Sequence, residues 1–215
     1  MSDRVARILS IALHPIATLL VLLATAAGRS RVVLLAIAIG FVPMIAVIVL
    51  QRRSGRWRNV DASVPAERHV LFGASLAFVL LLAAVLWRWS PQPQAARGAL
   101  AVGAVFAIAW ALLRWIKLSL HVAFAAFTAA ALVSIDWRIA IAMFVAVPML
   151  AWARVRMNRH TIREVIAGAA IGFAAGFLLM LSTAHPGLRS HVSGLRSRSQ
   201  LQTLRPSRGW AEAET

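Results

Sequence analysis

Uncharged, mostly apolar stretches recur along the chain and are separated by short basic segments. There are seven of them, at residues 8–28, 32–51, 70–87, 98–113, 118–135, 139–153 and 165–187. A helix needs about 20 apolar residues to cross a bilayer, with a range of about 17–25. Five stretches fall within that range, while flanking arginines can extend the other two by snorkelling. The pattern predicts an all-α, polytopic transmembrane helical bundle with about seven spans, or six as the fallback.

The last of these stretches also carries a packing signal. Gly168, Gly172 and Gly176 are spaced by four residues and therefore form a ridge of small residues on one helix face. Such ridges let two helices approach closely in a membrane. From residue 188 onward the chain is basic and rich in serine and glutamine, a composition typical of disorder. We therefore expect a transmembrane helical domain at 1–187 and a basic, disordered C-terminal tail at 188–215.

Composition points to the same class of protein. Of the 215 residues, 60% are apolar and 14% are charged, whereas soluble domains have about 45–50% and about 25%. The absence of cysteine excludes disulfides and cysteine-ligated metals. The net charge of +16 first suggests nucleic acid, but arginines between apolar stretches are better explained by phospholipid headgroups. We expect anionic phospholipid as a partner and no nucleic acid.

Polar residues that could take part in catalysis or ligand binding collect on one side of the predicted membrane bundle. If all seven stretches cross, residues 52–69, 114–117 and 154–164 lie on the same face as the N-terminus. The polar residues on or beside these segments are Asp61, Glu67, Arg68, Lys117, Ser119, His121, Arg154, His160 and Glu164. The positive-inside rule favours the cytoplasm for this face, but the arginines of the tail narrow the difference, so its side stays open. The count of crossings thus predicts one shared site from separated segments.

The strongest pattern among these residues is formed by Arg154, His160 and Glu164. His160 and Glu164 are four residues apart, so on a helix they lie one above the other. A carboxylate there can hold one ring nitrogen and leave the other free as nucleophile or base. Arg154 precedes His160 by six residues, which puts them on different faces of a continuous helix, so we expect a break near Asn158. The alternative is a basic interfacial loop with one histidine.

A second pattern, Lys117-Leu118-Ser119-Leu120-His121, comes directly before an apolar stretch. Serine is a good N-cap residue, and the free amides of a first helical turn form an anion site. Lys117 adds a cation beside it, and His121 in that turn can donate a proton to the leaving group of a phosphate ester. The alternative is a capped membrane helix with a lone histidine near the interface.

Together these two patterns resemble the signature motifs of a known membrane family. Ser119-x-His121 followed by Arg154-x5-His160-x3-Glu164 is similar to the second and third motifs of the type 2 phosphatidic acid phosphatases. Those motifs are Pro-Ser-Gly-His and Ser-Arg-x5-His-x3-Asp. The family belongs to a superfamily with bacterial acid phosphatases and vanadium haloperoxidases. The resemblance covers residues 52–176, in the family's order, with each motif beside an apolar stretch.

The first family motif, Lys-x6-Arg-Pro, is the least well matched. Arg68 stands in its arginine slot, but Asp61 occupies the lysine slot and His69 the proline slot. We expect Lys117 to supply the missing charge from the neighbouring segment. An arginine fork matches phosphate oxygens bidentately. Taken alone, the segment is typical of a solvated loop.

The resemblance implies an integral membrane phosphatase that acts on a lipid phosphate or pyrophosphate through a phosphohistidine, without cofactor or metal. It implies three catalytic residues, with His160 as nucleophile, Glu164 orienting its ring and His121 as proton donor. It assigns phosphate binding to Arg154, Arg68, Ser119 and Lys117. The alternatives are a lipid phosphotransferase of the same superfamily and a non-catalytic membrane protein that retains a phosphate-binding site. The expected location is a bacterial cytoplasmic membrane, with a membrane lipid phosphate as substrate.

Overall fold

The computed structural model describes residues 3–27, 46, 49–50, 53–55, 65–89 and 93–184. This part of the chain contains seven helices and no strand, so the predicted all-α class is confirmed. The helices are α1 (Asp3–Ala12), α2 (Pro15–Ala27), α3 (Pro65–Trp89), α4 (Pro93–Leu112), α5 (Leu120–Leu132), α6 (Trp137–Arg156) and α7 (Ile162–Ala184). Most of the predicted stretch 32–51, and the whole of the predicted tail at 188–215, lie outside the described residues.

The chain divides into two compact units, Met1–Met180 and Leu181–Thr215. The first unit holds α1 to α6 and most of α7. Of the second unit, the structure describes the end of α7, residues 181–184. All contacts described below lie within the first unit.

The number of membrane-spanning helices is lower than the sequence predicts. In the described ranges, four helices are long and apolar enough to cross a membrane, namely α3, α4, α6 and α7. The helices α1 and α2 meet at a bend of 45° and add a fifth span if the pair is counted as one. The prediction of about seven spans is therefore too high for the described part of the chain, while the predicted stretch 32–51 lies mostly outside it.

The short helix α5 explains part of this overcount. It has 13 residues, a length of about 20 Å at 1.5 Å per residue, which is less than the hydrocarbon thickness of about 30 Å. Every residue from Val122 to Leu132 is buried. The apolar sequence of 118–135 therefore reflects burial among other helices, a cause that hydropathy cannot distinguish from contact with lipid.

Helix α5 is enclosed closely by its neighbours. The Thr128 hydroxyl of α5 donates a hydrogen bond of 3.2 Å to the carbonyl oxygen of Thr18 in α2. On another side, the predicted glycine ridge of α7 packs on the α5 backbone, where a Cβ atom at Gly172 would overlap the carbonyl group of Ala123. A Cβ atom at Gly168 would lie 2.7 Å from the carbonyl oxygen of Ser119. The small residues therefore set the distance between α5 and α7.

Candidate active site

The connection between α6 and α7 contains the break that the spacing of Arg154 and His160 predicts. Asn158 has a φ of 54°, a left-handed conformation that asparagine adopts more readily than most residues. The amide of Asn158 donates to the carbonyl of Val155 at 2.9 Å, and that of Arg159 donates to the carbonyl of Arg154 at 3.1 Å. These bonds form a Schellman motif. The helix thus ends before Asn158, and the chain turns so that His160 comes to lie beside Arg154.

The His160 ring is held through one nitrogen. Its Nδ1 lies 2.9 Å from Oε2 of Glu164 and 3.2 Å from the carbonyl oxygen of Lys117. A carbonyl oxygen and a carboxylate only accept hydrogen bonds, so we assign the ring proton to Nδ1. The lone pair is then on Nε2. The structure therefore contains the predicted pairing of His160 with Glu164, in the tautomer that leaves Nε2 able to act as a nucleophile or a base.

Glu164 has a second function that our sequence interpretation missed. The same Oε2 accepts a hydrogen bond of 3.1 Å from the amide of Thr161, and the amide of Glu164 donates to the Thr161 hydroxyl at 3.4 Å. This reciprocal pair is a capping box at the start of α7. Its sequence signal, Thr161-x-x-Glu164, is present in the chain. The hydrogen bonds at the start of α7 therefore hold the carboxylate in the position from which it contacts the imidazole.

The protonation of His160 follows from its surroundings. Burial lowers the pKa of His160 to about 4, with the charges of Arg154 and Lys117 acting in the same direction and Glu164 opposing them. The side chain is only 5% exposed. At neutral pH the ring is therefore uncharged and keeps the lone pair that a nucleophile requires.

Ser119 occupies the N-cap position of α5, as the sequence predicts, but its side chain does not cap the helix. Its hydroxyl is fully buried and has no hydrogen-bond partner in the described part of the protein. Its backbone amide donates to the carbonyl of Glu164 at 3.3 Å, which joins the start of α5 to the start of α7. A buried hydroxyl without a partner is unfavourable. This group and the first-turn amides, which have no partner inside a helix, suit an anionic ligand.

Two cationic side chains, Arg154 and Lys117, lie close enough to His160 to act on it electrostatically. Arg154 is 4% exposed, and its Nη1 donates to the hydroxyl of Ser10 at 2.9 Å. Lys117 donates from Nζ to the carbonyl oxygen of Arg159 at 3.2 Å. Because its own carbonyl contacts the His160 ring, Lys117 ties the α4–α5 connection to the α6–α7 loop. Contact of either cation with a phosphate stays a prediction.

His121 lies in the first turn of α5 and interacts electrostatically with Arg154, His160 and His14. The rings of His121 and His14 are 5.0 Å apart between centroids and nearly perpendicular, at 87°. The structure therefore brings both predicted histidines and the predicted arginine of α6 into one cluster.

Ser10 and His14 were not predicted as site residues. The sequence predicts one continuous span at 8–28, and such a span gives no reason to place either residue in the site. The signal that reveals the break is His14-Pro15 inside an apolar run, because a proline ends a helix at the residue before it. Ser10 lies near the end of α1, and His14 lies in the break between α1, which ends at Ala12, and α2, which begins at Pro15.

The first motif is less fully described than the other two. Arg68 belongs to the first turn of α3, and its side chain lies outside the described part of the chain. Asp61 lies outside the described residues altogether. His69 accepts a hydrogen bond of 2.8 Å at Nδ1 from Trp110 Nε1 and so connects α3 to α4. The predicted phosphate contact of Arg68 therefore stays a prediction.

The described site combines an uncharged, oriented imidazole, a second imidazole, two cations and a helix N-terminus with a buried hydroxyl. Such a set can bind a tetrahedral oxyanion and attack it from one side. Comparison of the chain with protein families, with characterised proteins and with solved structures gives no match. The chemistry of these residues therefore carries the functional argument.

Proposed function

We propose that the protein is an integral membrane phosphatase that hydrolyses a lipid phosphate or pyrophosphate through a phosphohistidine at His160. The observation that carries this proposal is the state of the His160 ring, which is uncharged, held at Nδ1 by Glu164 and free at Nε2. Arg154 and Lys117 lie close enough to act on it electrostatically. The motif resemblance supports the same assignment.

In the first chemical step, the Nε2 lone pair of His160 forms a bond to phosphorus as the bond from phosphorus to the lipid oxygen breaks. His121 gives its proton to that oxygen, so the lipid leaves as an alcohol or as a phosphate monoester. Burial and the charge of Arg154 lower the pKa of His121. A bound phosphate dianion opposes this shift because it favours the protonated form of a nearby histidine, and thereby prepares His121 for this role. Arg154, Lys117 and the α5 amides offset the charge on the phosphoryl oxygens.

In the second step, water attacks phosphorus while His121 accepts one of its protons. The bond from phosphorus to Nε2 breaks and its electron pair returns to His160. Inorganic phosphate leaves, and both histidines regain their starting protonation. Glu164 stabilises the positive charge that the ring carries while it holds the phosphoryl group.

The position of the site supports a lipid substrate. Trp115 in the α4–α5 connection is 66% exposed, and the guanidinium carbon of Arg114 lies 3.8 Å from the centre of its ring. Exposed tryptophan and arginine are typical of the membrane interface, where phospholipid headgroups lie. These two residues support a position at headgroup depth for the connection that carries Lys117 and Ser119. The resemblance extends the proposal to a bacterial cytoplasmic membrane, which cell fractionation tests.

The test is release of inorganic phosphate by the purified protein in detergent, with EDTA present. Phosphatidic acid, phosphatidylglycerol phosphate and a polyprenyl pyrophosphate serve as substrates, each with and without glycerol as a competing acceptor. We expect turnover in the wild type and almost none in His160→Ala. Arg138→Ala is the matched control, because Arg138 is exposed and lies beside Trp137 at the start of α6, away from the site.

A phosphoryl label trapped on the protein tests the mechanism more directly. With a substrate labelled on phosphorus, the wild type should carry an acid-labile label that His160→Ala lacks. Transfer of the label to glycerol in preference to water would identify a phosphotransferase. Full turnover in His160→Ala, or no turnover of the wild type on any substrate, would contradict the proposal and favour a non-catalytic phosphate-binding protein.

A further inference from the structure

The break between α1 and α2 places two side chains against the site. The two helices meet at a bend of 45°, with Leu13 and His14 between them. One turn before the bend, the Ser10 hydroxyl contacts Arg154. At the bend itself, His14 contacts His121 edge to face. The bend therefore acts as one wall of the site, although no family motif includes it.

The orientation of His14 is set by the start of α2. Its Nδ1 accepts a hydrogen bond of 3.3 Å from the amide of Ile16, one of the amides at a helix start that lack a partner inside the helix. This bond requires an unprotonated Nδ1, so in the neutral ring the proton is on Nε2. Pro15 fixes the backbone at the same point. A side chain fixed in this way can hold a neighbouring ring in place.

We propose that His14 is a positioning residue for His121, an inference that rests on the proposed phosphatase function. His121 must present one nitrogen to the leaving oxygen in the first step and to water in the second. The ring of His160 is held by Glu164 and the carbonyl of Lys117. The ring of His121 is held from the side by His14, through a perpendicular contact that aromatic rings favour.

This role predicts a loss of turnover with little change in substrate binding. In this proposal the phosphate is bound by Arg154, Lys117 and the α5 amides. His14 contributes no group to this binding. A misplacement of a reacting group by about 1 Å can reduce the rate about 100-fold. We expect His14→Ala to lower kcat by roughly 10- to 100-fold, with KM nearly unchanged.

The conservative variant separates positioning from a structural requirement. His14→Phe keeps a flat ring that can pack edge to face on His121 but loses the hydrogen bond from the Ile16 amide, so it should recover part of the kcat that His14→Ala loses. Ile11→Ala is the matched control, because Ile11 lies in α1, three residues before His14, and its side chain is 68% exposed. It should leave kcat unchanged. The thermal midpoint of each variant shows whether it is folded.

A second readout does not depend on activity. With histidine-selective labelling, the ring protons of His121 should change chemical shift in His14→Ala and change less in His14→Phe, because an edge-to-face ring shifts its neighbour's resonances. Wild-type kcat in His14→Ala, unchanged His121 shifts, or a Phe variant no better than Ala would each overturn the inference while the phosphatase proposal stands. Absence of turnover in the wild type would instead overturn the phosphatase proposal.

Discussion

At the scale of single residues, the side chains of the site are held in position by hydrogen bonds to their neighbours. One carboxylate oxygen of Glu164 accepts from the Thr161 amide and also contacts the His160 ring. The hydroxyl of Ser10 accepts from Arg154. The pairing of His160 with Glu164 could be predicted from their spacing of four residues, although His160 lies in the loop before α7 and not on the helix. The contacts of Ser10 and His14 could not, because they join residues more than 100 positions apart.

Two substitutions of Glu164 should lower turnover to different extents. Glu164→Gln keeps an oxygen that can accept from Nδ1 but loses the charge that stabilises a positive ring, so we expect turnover to fall by about 10⁴-fold, as in triads with this change. Glu164→Asp keeps the charge but is one methylene shorter, and cannot reach both His160 and the Thr161 amide. We expect a loss of about 100-fold together with a lower thermal midpoint.

The control for the capping function is Thr161→Ala. It removes the hydroxyl that caps α7, at a cost of about 1 kcal/mol, but leaves the carboxylate beside His160. Turnover should therefore stay close to that of the wild type while the thermal midpoint falls. Phosphate release and thermal unfolding measure both effects, and a fully active Glu164→Gln would contradict the orienting role.

The pKa of His160 predicts how stability depends on pH. In the unfolded chain a histidine has a pKa of about 6.5, whereas burial lowers the pKa of His160 in the folded protein to about 4. Between these values the unfolded state binds more protons, so stability falls as the pH falls from about 6.5 to about 4 and is fully present above that window. His160→Gln removes this group.

The measurement is the thermal midpoint of both proteins across that pH range. The wild type should lose stability relative to His160→Gln as the pH falls through the window, and the difference between them should be constant above it. Curves that stay parallel from pH 7 to pH 4 would show that His160 titrates normally in the folded protein.

At the scale of helices, the sequence predicts where a helix lies better than what surrounds it. The break near Asn158 could be predicted because a six-residue spacing conflicts with a shared helix face. The glycine ridge of α7 could be recognised from its spacing, but its partner could not. The apolar residues of α5 have the same hydropathy in a protein interior as in lipid, so the sequence alone assigns them to a membrane span.

The contact of α7 with α5 should be sensitive to one added methyl group. Gly172→Ala places a Cβ atom where the Ala123 carbonyl lies, and backbone atoms cannot move aside without separating the helices. We expect a lower thermal midpoint and a loss of turnover, because separating the two helices would also break the hydrogen bond from the Ser119 amide to the Glu164 carbonyl. Gly98→Ala is the matched control, since its Cβ would have only Leu179 near it, at 3.9 Å. Equal midpoints for the two variants would contradict the close packing.

At the scale of the whole molecule, the site lies at one end of the bundle. The α4–α5 connection and the α6–α7 loop meet there through Lys117 and His160. The start of α1 lies at the same end, because Asp3 pairs with Arg156 at 3.1 Å. The sequence predicts that the α4–α5 connection and the α6–α7 loop share a face, because this depends only on the number of helices between them. The overcount of spans does not change it, since α5 and α6 still run away from the site and back.

The absence of native cysteine makes this arrangement testable with single cysteines. Arg159→Cys lies in the loop beside His160, and Arg138→Cys lies at the other end of α6. Both positions are exposed. In sealed vesicles, a membrane-impermeant maleimide should label one of them from outside, and the other only after the vesicles are opened. Labelling of both from the same side would contradict the proposed topology.

The enclosed position of α5 has a consequence for how the protein responds to its bilayer. A helix that faces lipid tilts or shifts when the hydrocarbon thickness changes. From Val122 to Leu132, α5 presents no exposed residue to the acyl chains, so hydrophobic mismatch reaches it only through the outer helices. The depth of Ser119 and His121, at its N-terminal end, is therefore set by packing within the protein and not by the thickness of the lipid. Turnover should vary little with the acyl-chain length of the surrounding lipid.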